Sequence, residues 1–165
     1  YRNYSRLTDS DCGLDSTPAH PEPVALVREF VDRDGRAEFA RGSDWLVNAV
    51  LCPGHLPGPD SFVAIDTAVL LTAGIQVASD TAWVPVRYEV LGEASPLGFD
   101  PAPATLVDTF LVTRTSAGWR VVAPNMPMRI RATVATEWRE LLSDSLRAVI
   151  RNAADASRAR RAGGA

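Results

Sequence analysis

The chain has 165 residues, of which 46% are apolar and 22% are charged, and its formal net charge is -3. This composition is typical of one ordinary globular domain and excludes a disordered chain, a collagen-like chain and a coiled coil. A domain of this length removes about 70% of its unfolded surface from water, so it needs no metal to fold. Its apolar stretches fall far short of the roughly 20 residues that cross a bilayer, and we therefore expect no membrane span.

All 17 basic residues are Arg. This usage indicates either a bias towards GC-rich codons or the use of Arg forks as phosphate clamps. Nucleic-acid binders concentrate Arg on one face with aromatic residues between, whereas here only the segment 147–165 is basic and the other Arg residues are scattered among acids. The sequence therefore predicts no nucleic-acid partner.

The two cysteines, Cys12 and Cys52, lie in Pro/Gly/Asp-rich segments and belong to no CxxC motif. Together with a first residue that is Tyr1, they favour an exported protein whose signal peptide has been removed, with a trimmed cytoplasmic protein as the alternative. If Cys12 and Cys52 form a disulfide, the loop of about 40 residues would stabilise the fold by roughly 4 kcal/mol. His20 and His55 lack the paired spacing of a zinc site, so we expect neither a metal nor another cofactor.

The hydrophobic pattern divides the chain into three parts. Residues 1–23 are polar and rich in Pro, which predicts an extended arm. Residues 24–130 predict one α+β domain, and residues 131–165 predict a C-terminal helix and a polar tail. In the domain, helical spacing predicts a first helix from Val24 that stops at Gly35, and a second from about Arg36 to Leu51 with a weak point at Gly42-Ser43.

After a Pro/Gly loop over 52–60 the apolar period falls towards two, which predicts strands. Four or five antiparallel strands are expected, with a loop over 95–103, a hairpin at 116–118, and a helix of 20 or more residues beginning near Ala132. Alternation is clearest in the strand over 83–91, where one face carries Val84, Val86, Tyr88 and Val90. The opposite face carries Trp83, Pro85, Arg87 and Glu89, so the sheet has a core side and a wetter side.

These residues resemble the NTF2-like superfamily, which includes nuclear transport factor 2, ketosteroid isomerase and the SnoaL-like polyketide cyclases. The features that carry the resemblance are the first helix with its Asp34-Gly35 break, the turn Ser79-Asp80-Thr81-Ala82 and the late hairpin Gly118-Trp119-Arg120-Val121-Val122. The resemblance covers about residues 24 to 125. The C-terminal helix is an addition to the usual end of that family.

The resemblance implies N-terminal helices packed on a strongly curved antiparallel sheet that wraps around a conical pocket. It also implies dimerisation through the outer sheet face, where Trp83 lies. Catalytic members of the family place an Asp or His base in the cone, often with a Tyr hydroxyl as oxyanion donor, while many members only bind. No motif of this sequence matches the Asp base of ketosteroid isomerase or the His/Asp pair of scytalone dehydratase, another member of the superfamily.

Two residues are candidates for the core side of the cone, with Phe110 beside them as a ligand contact. Tyr88 offers a hydroxyl to a ligand, or it is a core Tyr bonded to a backbone carbonyl. Asp108 lies two residues before Phe110 and on the same face of the strand. It either places a carboxylate at the rim of the cavity or is a turn residue at the start of its strand.

Asp66 and His55 complete the set of candidate bases. Asp66 interrupts an apolar run and needs either a partner or a pocket. His55 lies in the loop after the second helix, where it is either a general base near a lid or a solvated loop residue.

These observations lead to three hypotheses for function. The first is a non-catalytic exported domain that binds a small apolar ligand or a partner protein, as a dimer. The second is a small lyase or isomerase with an Asp or His base and Tyr88 as donor. The third is a structural assembly module whose cone is filled by its own side chains.

Overall fold

The structure is a computed structural model that describes residues 20–41, 43–51, 61–122, 127–139 and 142–164. Cys12, Cys52 and His55 lie outside these residues. The disulfide and the loop base therefore stay predictions. No helix of the described ranges is long and apolar enough to cross a membrane.

The N-terminal helices form where the apolar spacing predicts them. Helix α1 spans Pro23–Gly35, and the Glu22 side chain caps it by accepting hydrogen bonds from the first turn. The predicted second helix is wrong as one piece, because a 3-10 turn at Phe39–Arg41 precedes a short α2 at Asp44–Ala49. Ser43 caps α2 by accepting a hydrogen bond from the backbone N–H of Leu46.

Seven strands form one strongly curled sheet in the order β1-β6-β5-β4-β2-β7, with β3 paired to β4. Its strands are β1 (Val50–Leu51), β2 (Phe62–Leu70), β3 (Gln76–Val77), β4 (Thr81–Ser95), β5 (Gly98–Thr115), β6 (Gly118–Val122) and β7 (Met128–Arg131). The prediction of an antiparallel sheet is wrong at its two ends, since β1 runs parallel to β6 and β7 runs parallel to β2. Parallel pairing is possible there because no hairpin joins the paired strands: β1 is far from β6 in sequence, and β2 is far from β7.

The loop predicted over 95–103 is also wrong, because β4 and β5 continue through this region as a hairpin that turns at Pro96-Leu97. Pro101 and Pro103 are tolerated because β5 has no strand on its other side there among the described residues. The β4–β5 register shifts between Val90 and Gly92. At Gly92 a Cβ atom would lie 2.3 Å from the carbonyl oxygen of Asp100, so only glycine fits this bulge.

Apolar clusters lie on both faces of the sheet. On the inner face, α1 and α2 cover Val84, Val86 and Tyr88. On the outer face, α3 (Ala132–Ala135) and α4 (Asp144–Gly163) pack on one half of the sheet. The predicted single C-terminal helix from Ala132 is therefore wrong, because the chain leaves the helix after α3 and α4 starts at the Ser143 cap. The fold is α+β with a cone-like sheet, as predicted.

Candidate functional site

Tyr88 lies at the centre of the inner face, where alternation along β4 places it. Its side chain is buried within the inner cluster. The Arg129 guanidinium lies over the ring, with Cζ 4.4 Å from the ring centroid. Burial raises the pKa of the Tyr88 phenol, so this group stays protonated at physiological pH.

Arg129 reaches across the interior of the curled sheet from β7 to β5. Its neighbours Met128 and Ile130 point into the outer cluster, so the alternation of β7 directs Arg129 inwards. There it forms an ion pair with Asp108, although β4 and β2 lie between the two strands in the sheet order. The Arg129 side chain is 8% exposed and that of Asp108 is 31% exposed. The pair therefore presents its carboxylate to solvent and keeps its guanidinium inside.

Asp34 holds the other end of this cluster at the last turn of α1. One carboxylate oxygen, Oδ2, accepts the backbone N–H of Arg129 at 3.0 Å. Burial raises the pKa of Asp34 to about 7, and the hydrogen bond and charge of Arg129 only partly oppose this. The second oxygen, Oδ1, has no hydrogen-bond partner among the described residues. With a pKa of about 7, the Asp34 carboxyl is therefore partly protonated near neutral pH.

The inner face opens to solvent along β5. Leu106 pairs with Tyr88 and Ala104 pairs with Val90, so both lie on the inner face. Leu106 is nevertheless 45% exposed, and Ala104 is exposed as well. The described helices thus leave this end of the inner face uncovered. We call the area formed by Ala104, Leu106 and Asp108 the mouth.

The other sequence-derived candidates lie elsewhere. Phe110 is buried in the inner core, where its ring meets Phe30 edge-on with centroids 5.4 Å apart. Asp66 falls at the register shifts of β2, and its buried carboxylate forms an ion pair with Arg161 of α4. Because α4 packs on the outer face, Asp66 is not brought to Tyr88.

Beyond α4, no described helix covers the other half of the outer face. Trp83 is 41% exposed, which confirms its expected exposure on this face, and Val69 and Val107 flank Arg87 in one row across three strands. A groove of about 730 Å³ runs beside Trp83, with Leu71, Pro85 and Thr109 among its lining residues. We call this region the outer patch.

Sequence reasoning found Tyr88 and Asp108 but missed Arg129 and Asp34. Asp34 precedes Gly35, and in the sequence this pair indicates only the end of the first helix. Arg129 alternates with two apolar residues, and that period is the only signal that it faces inwards. Nothing in the sequence shows that the curl of the sheet brings β7 opposite β5.

The described residues contain no group of three His, Cys, Asp or Glu side chains placed to hold a metal ion. The residues that converge are instead a phenol, a guanidinium and two carboxyl groups, which can bind a polar group or move a proton. In comparisons with known proteins, the chain matches no family model, no curated protein and no solved structure.

Proposed function

We propose that the protein is a non-catalytic domain of the NTF2-like type that binds a small, mainly apolar molecule at the mouth of its curled sheet. The observation that carries this proposal is the 45% exposure of Leu106 on the inner face, directly opposite the buried Tyr88. The inner-face residues of β4 from Ala82 to Val90 belong to the core, as do Phe110 and Val112 of β5. An exposed apolar side chain at the edge of a core is a surface that a ligand can cover.

The polar group of the mouth defines the other end of the ligand. Asp108 is the exposed partner of its ion pair, and a carboxylate accepts several hydrogen bonds at once. The carboxylate can therefore accept a hydrogen bond from a ligand while it keeps its ion pair with Arg129. The ligand class that fits is an apolar body with one hydroxyl or amino group.

Binding of Nile red, a neutral apolar dye, tests the proposal through its fluorescence increase. Leu106→Ser should weaken dye binding at least tenfold, whereas Val149→Ser should leave it unchanged. Val149 is the matched control because it is 44% exposed on α4, away from the mouth. Equal dye binding by the wild type and Leu106→Ser would rule out the mouth as the site.

Binding of a partner protein through the outer patch is a second candidate. It is favoured by the exposed Trp83 beside a groove of about 730 Å³, since exposed aromatic residues are enriched where proteins meet. Trp83→Ser separates the two candidates in the same titration. Loss of dye binding in Trp83→Ser alone would assign the apolar site to the outer patch.

Catalysis as a lyase or isomerase is the alternative use of the same inner face. It is supported by Tyr88 and Asp108, which Arg129 links into one cluster. In that case Asp108→Asn, which keeps a hydrogen-bond acceptor for Arg129, and Tyr88→Phe would abolish turnover of a substrate, and circular dichroism would check that both variants fold. Unchanged turnover in both variants would exclude a catalytic role for this cluster.

A further inference from the structure

Along most of its length, one edge of β5 has no neighbouring strand within the part of the chain that the structure describes, and we call it the bare edge. β6 pairs with β5 only over Val112–Thr115. From Gly98 to Leu111, β5 has β4 on one side and no strand on the other among the described residues. Such an edge presents backbone donors and acceptors that another strand can pair with.

The direction of one hydrogen bond shows which residues face this edge. The backbone N–H of Arg114 donates to the carbonyl of Asp80 at 2.8 Å, so Arg114 faces the β4 side. Facing alternates along a strand, and the β4–β5 register is regular from Ala104 to Thr113. The N–H and C=O groups of Thr105, Val107 and Thr109 therefore point away from β4, into the bare edge.

The two halves of this edge differ in protection. In its first half, Pro101 and Pro103 hinder pairing with another strand, because proline has no backbone N–H to donate. The stretch from Ala104 to Leu111 contains no Pro and no Arg, and its single charge, Asp108, is already paired with Arg129. Val107 is 54% exposed in the middle of this stretch. Because this half of the edge has no unpaired charge and an exposed apolar residue at its centre, the same edge of a second copy can pair with it without charge repulsion.

We propose that a second copy of the chain pairs with this edge, β5 against β5, in antiparallel register about a two-fold axis at Val107. In this register Val107 meets its own equivalent, and Thr105 meets Thr109 of the partner subunit. Each Asp108 then lies opposite Leu106 rather than opposite the other Asp108. A register centred on Asp108 would place two carboxylates face to face, and one centred on Leu106 would bring Pro103 into the ladder.

This pairing differs from a dimer through the outer sheet face. It uses backbone groups of the edge, whereas a face dimer would cover Trp83. It also stands apart from the ligand proposal, because it needs no molecule in the mouth. An edge dimer would join the two outer patches into one surface through the two Val107 side chains.

Sedimentation of the full chain at about 100 µM tests the proposal. The wild type and Thr105→Val should sediment as dimers, and Thr105→Pro as a monomer. Both substitutions remove the Thr105 hydroxyl that donates to Glu89, but only proline removes the N–H at the edge. A monomeric wild type would overturn the proposal. So would a Thr105→Pro dimer that Trp83→Ser converts to a monomer.

Amide exchange of the wild type provides a readout that does not depend on whether the proline variant folds. Raising the protein concentration from well below to well above the dissociation constant should slow exchange at Thr105, Val107 and Thr109 at least tenfold. The amides of Leu106 and Asp108, which face β4, should change little. Slowing that is absent, or equal at all five residues, would contradict strand pairing at this edge.

Discussion

Arg129 of β7 and Asp108 of β5 form an ion pair across the interior of the curled sheet, with two strands between theirs in the sheet order. The guanidinium also lies over the Tyr88 ring, and the Arg129 backbone N–H donates to Asp34. One arginine therefore ties together β7, β5, β4 and the end of α1. This arrangement closes the sheet around its core and leaves the mouth at the β5 end.

Replacing Arg129 should destabilise the fold strongly. Arg129→Met leaves Asp108 and the buried Asp34 without their counter-charge, and because Asp108 is partly exposed this costs about 2 kcal/mol of the free energy of unfolding. Urea unfolding measures the loss. Arg114→Met, at an exposed position near the end of β5, is the control and should change stability by less than about 0.5 kcal/mol. Equal effects of the two substitutions would show that the ion pair contributes nothing.

Asp34 should make stability fall as pH rises from about 4 to about 7. The folded state holds this proton more tightly than the unfolded state, because burial raises the pKa from 3.8 to about 7. The folded state therefore binds more protons within this window, and its stability is lost as the proton leaves, by on the order of 4 kcal/mol. Below the unfolded pKa both states are protonated and the effect disappears.

Asp34→Asn isolates this effect, since the amide still accepts from Arg129 but does not titrate. The variant should be more stable than the wild type at pH 8, and this advantage should vanish near pH 4. Asp100→Asn, at an exposed position, should keep the wild-type pH dependence. Parallel curves of unfolding free energy against pH for the wild type and Asp34→Asn would disprove the raised pKa.

The ion pair between Asp66 and Arg161 should hold the end of α4 to the sheet. The Asp66 side chain is 7% exposed, so Arg161→Met leaves a buried carboxylate without its partner and should cost about 2 kcal/mol. The neighbouring Arg160 is exposed, and Arg160→Met should cost less than about 0.5 kcal/mol. Thermal unfolding of the two variants side by side checks this. A loss in Arg160→Met as large as that in Arg161→Met would point to helix propensity rather than the ion pair.

Sequence periodicity predicted the parts of the fold that depend on local patterns. The alternation around Tyr88 and the helical spacing from Val24 both appear as expected. The predictions that failed depend on residues distant in sequence. Pro101 and Pro103 indicate a loop, and only the structure shows that they lie on the bare edge of β5, where a strand tolerates proline. For the same reason Arg129 could not be foreseen, because its role comes from the curl of the sheet and not from its neighbours in sequence.

Two residues on the same face of β5 should differ sharply in their contribution to stability. Phe110 is 2% exposed, so Phe110→Ala should cost about 4 kcal/mol through lost burial and the cavity left behind. Leu106 is 45% exposed, and Leu106→Ala should cost less than about 1 kcal/mol. Urea unfolding of both variants compares them. A large loss of unfolding free energy in Leu106→Ala would show that Leu106 belongs to the core and that the mouth is not open to a ligand.

Methyl NMR tests the mouth most directly, because it reports each apolar side chain separately. On addition of Nile red, we expect shifts at the methyl groups of Leu106, Ala104 and Val90, with no change at Val69 on the outer face. Shifts confined to Val69, Val107 and Leu71 would move the ligand to the outer patch. That result would show that the inner face does not open as a binding site.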